Sequence, residues 1–266
     1  MYGTIYLARA FFEYKFSDLL LIRAGKFLPP FGIYNERHDA TPTFISTVLP
    51  FSIYGDHLNS VDKKGRLFSK FATGVWALGS LFVDTWQLKY NIYISNGRGP
   101  KPAERDNNPN KALGMRFVVV PPVDFLQIGA SYYADRDGNS YDTRQVAIGL
   151  DLNWIWGNFE LQSEMLLAKG ERVDAENRPN GVFLHSRGYY MQGSYTLRDR
   201  WTPFMRLDVF DRDTRIRRNE EKHTIIGLNI AISYNVYTKA EVHFIDYVNP
   251  NQKDYELFIA SVAVAF

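Results

Sequence analysis

Apolar side chains return at every second position of this chain, in one segment after another. Leu88, Tyr90, Ile92 and Ile94 alternate with Gln87, Lys89, Asn91 and Tyr93; Val146, Ile148, Leu150 and Leu152 alternate with Ala147, Gly149, Asp151 and Asn153. Ile226, Leu228, Ile230 and Ile232 do the same against Ile225, Gly227, Asn229 and Ala231. Successive side chains of a strand point to opposite faces, so each segment carries one oily face and one wet or small-residue face. About thirteen strands are predicted in this way. They lie near 3–14, 19–27, 65–82, 86–95, 112–120, 124–134, 144–155, 158–168, 186–197, 201–211, 222–233, 237–246 and 254–266. Their connectors alternate strictly in length. Lys15–Asp18, Val83–Thr85, Pro121–Val123, Trp156–Gly157, Arg198–Arg200 and Tyr234–Val236 are short. Leu28–Lys64, Asn96–Lys111, Asp135–Thr143, Lys169–His185, Arg212–Glu221 and Tyr247–Lys253 are long and polar. Short turns at one end and long loops at the other are the pattern of an up-and-down antiparallel transmembrane β-barrel, with the oily faces turned outward to lipid. The predicted fold class is therefore all-β, with a single barrel domain over 1–266.

Hydropathy alone would miss such a barrel. Mean hydropathy is −0.27 and no run approaches 18 apolar residues, yet a barrel strand crosses with about 9–11 residues, apolar at alternate positions. There is no cysteine, so no disulfide framework or thiolate metal site is available. A net charge of +2 gives no bulk attraction for a polyanion, and no nucleic acid is expected as a partner. Met1 leads straight into GTIYLARAFFEY, a strand-like pattern without the basic, apolar and small-residue regions of a signal peptide. Counting back through the hairpins starts the first strand at the long-loop end, whereas bacterial barrels have an even strand number. The expectation drawn is that amino-terminal strands and a leader are missing and that the visible strands belong to a barrel of 14–18.

Two segments carry a family resemblance. The closing stretch YELFIASVAVAF places Phe258, Ala260, Val262, Val264 and Phe266 on one face and ends on an aromatic, and it resembles the last strand of bacterial outer-membrane barrels. The segment AGKFLPPFGIYNERHDATPTF resembles the G-K-x-x-x-P-F-G-x-Y-N-E signature of the phosphate-selective porin O and P superfamily. It is carried by Gly25, Lys26, Pro30, Phe31, Gly32, Tyr34, Asn35 and Glu36. The resemblance implies a passive channel in the cell outer membrane for small hydrophilic solutes or ions, with outer-membrane lipid and lipopolysaccharide as surroundings, a homo-trimer, no catalysis and no cofactor. The alternative is a non-conducting barrel serving as envelope scaffold or partner protein.

The loop 28–64 is expected to lie outside the barrel or to fold inward. In the second case Glu36, Arg37, His38 and Asp39 would stand near the constriction. Alternation assigns Arg9, Arg23, Lys89, Arg116, Arg206 and Lys239 to the lumen, with Glu13, Asp151, Glu160, Glu164, Asp208 and Glu241. Six cations against six anions build no ring of one sign, and such rings are what confer ion selectivity. The five histidines show no metal-ligand spacing. His57 with Ser60, or His185 with Ser186, could be drawn as Ser–His pairs, but both lie in predicted loops. The run Arg212, Arg215, Arg217 and Arg218 could meet lipopolysaccharide phosphates, or be balanced by Asp211, Asp213, Glu220 and Glu221.

Overall fold

The computed structural model describes residues 7–37, 44–55, 57–59, 63–97, 109–123, 125–136, 143–174 and 178–264, with backbone alone for 57–59 and 63–65. Thirteen strands form one antiparallel sheet in sequence order: β1 (Ala10–Ser17), β2 (Leu20–Phe27), β5 (Ala72–Val83), β6 (Trp86–Ser95), β7 (Ala112–Val120), β8 (Leu126–Arg136), β9 (Arg144–Trp156), β10 (Phe159–Val173), β11 (Pro179–Tyr195), β12 (Trp201–Asp211), β13 (Glu220–Ser233), β14 (Val236–Tyr247) and β15 (Tyr255–Val264). The fold is the predicted all-β up-and-down one. Among the described residues β1 and β15 are the two ends of the ladder. Between β2 and β5 the chain adds a 3-10 turn at Asn35–Arg37, a four-residue helix α1 (Phe51–Tyr54) and a small hairpin of β3 (His57–Asn59) and β4 (Lys63–Gly65).

The register explains why the sequence alternates. Met115, Tyr132, Ile148 and Leu167 lie side by side across β7–β10, and the next row toward the short turns is Phe117, Ala130, Leu150 and Met165. Below it come Val119, Ile128, Leu152 and Ser163. Apart from Ser163, these outward rows are apolar across strands yet open: Phe117, Ile148, Leu150 and Leu167 are all exposed, Leu150 at 50%. On β15, Phe258 and Val262 point outward at 68% and 67% exposure, while Ala263 on the other face is buried. Such an apolar surface, wrapped over polar inward rows, reverses the usual arrangement of a water-soluble sheet. Exposed aromatic or aliphatic residues also stud every short turn: Phe16 and Leu19, Phe82 and Trp86, Phe125, Trp156, Leu197 and Trp201, and Tyr234. Amphipathic rings collect at this level in membrane barrels.

The strand boundaries move in instructive places. The predicted strand 65–82 starts only at Ala72, because 66–71 belongs to the inserted segment and buries Leu67, Phe68 and Phe71. β10 and β11 pair well past 168, up to Glu171↔Phe183 and, beyond a bulge, Val173↔Pro179. The hairpin therefore stands above the neighbouring strands where a loop was expected. Tyr133 and Tyr190 point inward and are fully buried, whereas Tyr189 faces out.

Replacing Leu150 by Arg tests the outward face. In a water-soluble sheet an exposed Leu at 50% would tolerate the change within about 0.5 kcal/mol. In a lipid-facing middle row it should cost about 2–4 kcal/mol, read by denaturant titration of the protein folded into vesicles.

Candidate functional site

The described parts of the long segment 28–71 do not stay outside: residues 28–37, 44–55 and 66–71 run along the inner face of the sheet. Its entry is built from the Gly25–Glu36 motif. Phe31 turns in and stacks on Phe68 with ring centroids 4.0 Å apart, over Gly149 of β9, which leaves room for the ring. Gly32 then adopts a φ of +62°, and a Cβ there would fall 2.1 Å from Oε2 of Glu164 and 2.3 Å from the Tyr54 hydroxyl. Only glycine meets both requirements. The Gly32 amide donates to Ser131 Oγ at 3.1 Å, and the Ile33 amide donates to Glu164 Oε2 at 3.1 Å. Asn35 closes the turn by donating its side-chain amide to the Pro29 carbonyl at 2.7 Å.

Glu164, buried on β10, is the hub. It accepts hydrogen bonds from the Tyr54 hydroxyl at 2.8–2.9 Å and from the Tyr190 hydroxyl at 2.7 Å, besides the Ile33 amide. Beside it Asp151 takes a bidentate pair from Arg116, at 2.5 and 2.9 Å, and Arg116 also donates to Ser131. A buried carboxylate is tolerable only when its oxygens are satisfied in this way.

Further along, the segment is fastened to the remaining strands in turn. The Phe51 and Ser52 amides donate to the two oxygens of Asp208 at 2.6 and 3.0 Å. Ser52 sits against Gly188, where a Cβ would fall 2.3 Å from the Ser52 carbonyl oxygen. Arg206 donates to the Val48 carbonyl at 3.0 Å. Lys239 donates to the carbonyls of Phe44 and Ser46, at 2.5 and 3.3 Å. Glu241 accepts from Ser46 Oγ at 2.8 Å and from the Thr47 amide at 3.1 Å. Asn229 reaches the Phe44 and Ile45 carbonyls, and the Thr47 and Ser261 hydroxyls meet at 2.9 Å. The segment thus touches strands from β8 to β15. Its own aromatic residues Phe31, Tyr34, Phe44, Tyr54 and Phe68 join Phe27, Trp76, Tyr93, Tyr133, Tyr190 and Phe210 in one buried cluster.

The residues assigned to the lumen by alternation have different fates. Arg116, Asp151, Glu164, Arg206, Asp208, Lys239 and Glu241 are all inward and buried, but they serve as fasteners for the inserted segment or as ion pairs, not as a water-lined ring. Arg23 pairs with Glu13 and lies under the Phe11 and Trp76 rings. Glu160 is half-buried and accepts from Gln162 at 2.9 Å. Lys89, with Asn91, Leu78 and Ser80, lines an open cavity of about 550 Å³ beneath the β1–β2 turn. Arg9 is exposed and precedes β1. Of the expected constriction residues, Arg37 is exposed at the end of the 3-10 turn and Glu36 is half-buried beside it; His38 and Asp39 lie outside the described residues. Sequence reasoning missed Tyr54, Ser131 and Gly188 and gave no anchoring role to Tyr34, Asn229 or Gly149, because these roles exist only once the segment is folded in.

The two Ser–His candidates do not form a dyad that can be described. His185 and Ser186 are neighbours on β11 and point to opposite faces, with Ser186 donating to the Arg212 carbonyl at 2.8 Å. Ser60 lies outside the described residues, and the His57 side chain is not described. In the β12–β13 loop, Arg215 pairs with Asp213 at 2.9 Å, and this hydrogen bond holds the Asp213 carboxyl below the usual carboxylate range.

This fold is that of an outer-membrane β-barrel. Among solved structures, outer-membrane expressed OmpT of Vibrio cholerae matches with a TM-score of 0.61 and 12% identity, over 93% of this chain and 77% of its own. The anion-selective porin from Comamonas acidovorans matches with a TM-score of 0.62 and 10% identity, over 94% of this chain and 75% of its own. At such identities the likeness is one of fold. No family model matches the chain, and no curated protein matches its sequence.

Gly32→Ala should loosen the inserted segment and leave the wall intact. The variant is expected to keep full β-sheet circular dichroism, while its 28–71 segment becomes several-fold more sensitive to added protease than the parent's.

Proposed function

We propose that the chain is an outer-membrane channel for small hydrophilic solutes or ions, its bore narrowed by residues 28–71. The observation that carries this reading is the fastening of one loop across the inner face of a wall whose outer face is apolar. The likeness in fold to an anion-selective porin supports it, as does the Gly25–Glu36 motif, whose residues build the inward turn. The motif is also what favours kinship with the phosphate-selective porin O and P superfamily. Selectivity for phosphate gains no support from the wall, whose cations and anions are largely spent on one another and on the segment.

One observation favours the non-conducting alternative. The inserted segment brings its own aromatic core and holds fasteners on strands from β8 to β15, more than a loop needs in order to narrow a passage. The two readings separate in planar bilayers. A channel should show discrete conductance steps in the parent protein, and deletion of 33–58 should enlarge them several-fold. A parent that stays silent, with a deletion variant that conducts, would favour the plugged scaffold. Equal conductance of parent and deletion variant would remove the segment from the passage altogether.

A further inference from the structure

The inserted segment is fastened to strands from β8 to β15, and on β2, β5 and β6 its aromatic cluster takes in Phe27, Trp76 and Tyr93. Below that cluster, toward the short turns, the inner rows of β2, β5 and β6 are only half-buried. Leu21 is paired with Leu78 and Leu78 with Asn91, which makes one row; Leu78 packs against the lower edge of the cluster. Ser80 with Lys89 forms the next row, and Phe82 with Gln87 the last. All have the parity of Trp76 and Tyr93, which are buried on the inner face. Leu21, Leu78, Ser80, Phe82, Lys89 and Asn91 line the cavity of about 550 Å³ beneath the β1–β2 turn. The three strands that carry them are described at every residue.

The polar groups of this lining are donors that the chain's own bonds leave over. Trp76 Nε1 donates to Asn91 Oδ1 at 3.2 Å. An indole nitrogen only donates, so this bond fixes the oxygen end of the Asn91 amide and frees its NH2 for another acceptor. Neither the Lys89 ammonium nor the Ser80 hydroxyl has an ion pair or hydrogen bond among the described residues. The acid at the cavity's edge, Asp18, is held by Lys15 at 2.5 Å. Other inward cations are engaged: Arg23 with Glu13, Arg116 with Asp151, and Arg206 and Lys239 with carbonyls of the segment. An ammonium flanked by an amide NH2 and a hydroxyl suits an anion. Lysine supplies one point charge and no guanidinium fork, which matches a singly charged group better than a phosphate. Leu21, Leu78 and Phe82 beside these donors call for an apolar body on the same molecule. The volume lies within the range of ordinary small-molecule sites, roughly 300–1,000 Å³.

We infer that this cavity is a binding site for small organic monocarboxylates with an apolar body, the carboxylate at Lys89 and Asn91 and the hydrocarbon over Leu21, Leu78 and Phe82. Its place on a solute path, between the inserted segment and the short-turn mouth, rests on the channel reading proposed above; the binding itself does not.

The test uses the full chain folded in detergent micelles, with benzoate as the probe and binding read by saturation-transfer NMR. Benzoate should bind the parent. Lys89→Gln and Asn91→Asp should each weaken it at least about fivefold, the first while unfolding at the parent temperature. Benzyl alcohol, which has the ring without the charge, should not distinguish parent from Lys89→Gln, and inorganic phosphate should not displace benzoate. Equal affinity of the parent and both variants, absence of binding by the parent, or displacement by phosphate at equal concentration would each overturn the inference. If Asn91→Asp does not fold, Lys89→Gln carries the comparison, since its side chain has no partner to lose. Conductance in planar bilayers tells the two failures apart. A silent parent that still binds benzoate defeats the channel and leaves the site standing; a conducting parent that does not bind it defeats the site alone.

Discussion

A backbone amide that faces hydrocarbon finds no water to bond, so a chain that crosses lipid must satisfy its polar backbone within itself. The continuous ladder from β1 to β15 does this, and most other features follow from it. Each interior strand is paired on both sides, which leaves only side chains to meet the surroundings. The two-residue alternation then divides them, with Phe117, Ile148, Leu150 and Phe258 outside and Arg116, Asp151, Glu164 and Asp208 inside. The same constraint explains why the short turns carry exposed rings.

The polar inner face creates a second demand. Charges such as Glu164, Asp208, Lys239 and Glu241 are buried once 28–71 folds over them, and a buried charge without partners is costly. The segment supplies those partners largely from its own backbone: the amides of Ile33, Thr47, Phe51 and Ser52, and the carbonyls of Phe44, Ser46 and Val48. Wall and segment are complementary in this sense. The carboxylates face amides and hydroxyls, and the cations face carbonyls. Glycine marks the places where the two come closest, Gly32 on the segment and Gly149 and Gly188 on the wall.

The strands were legible because period-two alternation is a local property of sequence. So was the approximate position of the inserted segment, marked by the signature from Gly25 to Glu36 and by the length of the connector 28–64. Its extent was not legible. Residues 66–71 continue an apolar, strand-like pattern, and only burial of Leu67 and Phe68 against the segment shows where β5 begins. The roles of the charged residues were less legible still. Alternation places Asp208 and Glu241 on the inner face, but nothing near them in sequence says that they will hold the backbone of residues more than 150 positions away. The inward place of Tyr133 and Tyr190 was not legible for the same reason: the aromatic core that takes them in is assembled from distant parts of the chain.

The central claim is that 28–71 lies against the inner wall as far as the last strand. A cysteine cross-link tests it most directly, and the natural chain has no cysteine to interfere. The Thr47 and Ser261 hydroxyls are 2.9 Å apart, so Thr47→Cys/Ser261→Cys in the folded protein should close a disulfide readily under mild oxidation, while Thr47→Cys paired with Ser80→Cys should not. Two free thiols in the first variant, both reacting with a bulky membrane-impermeant reagent added on the loop side, would place the segment outside the bore and contradict the account.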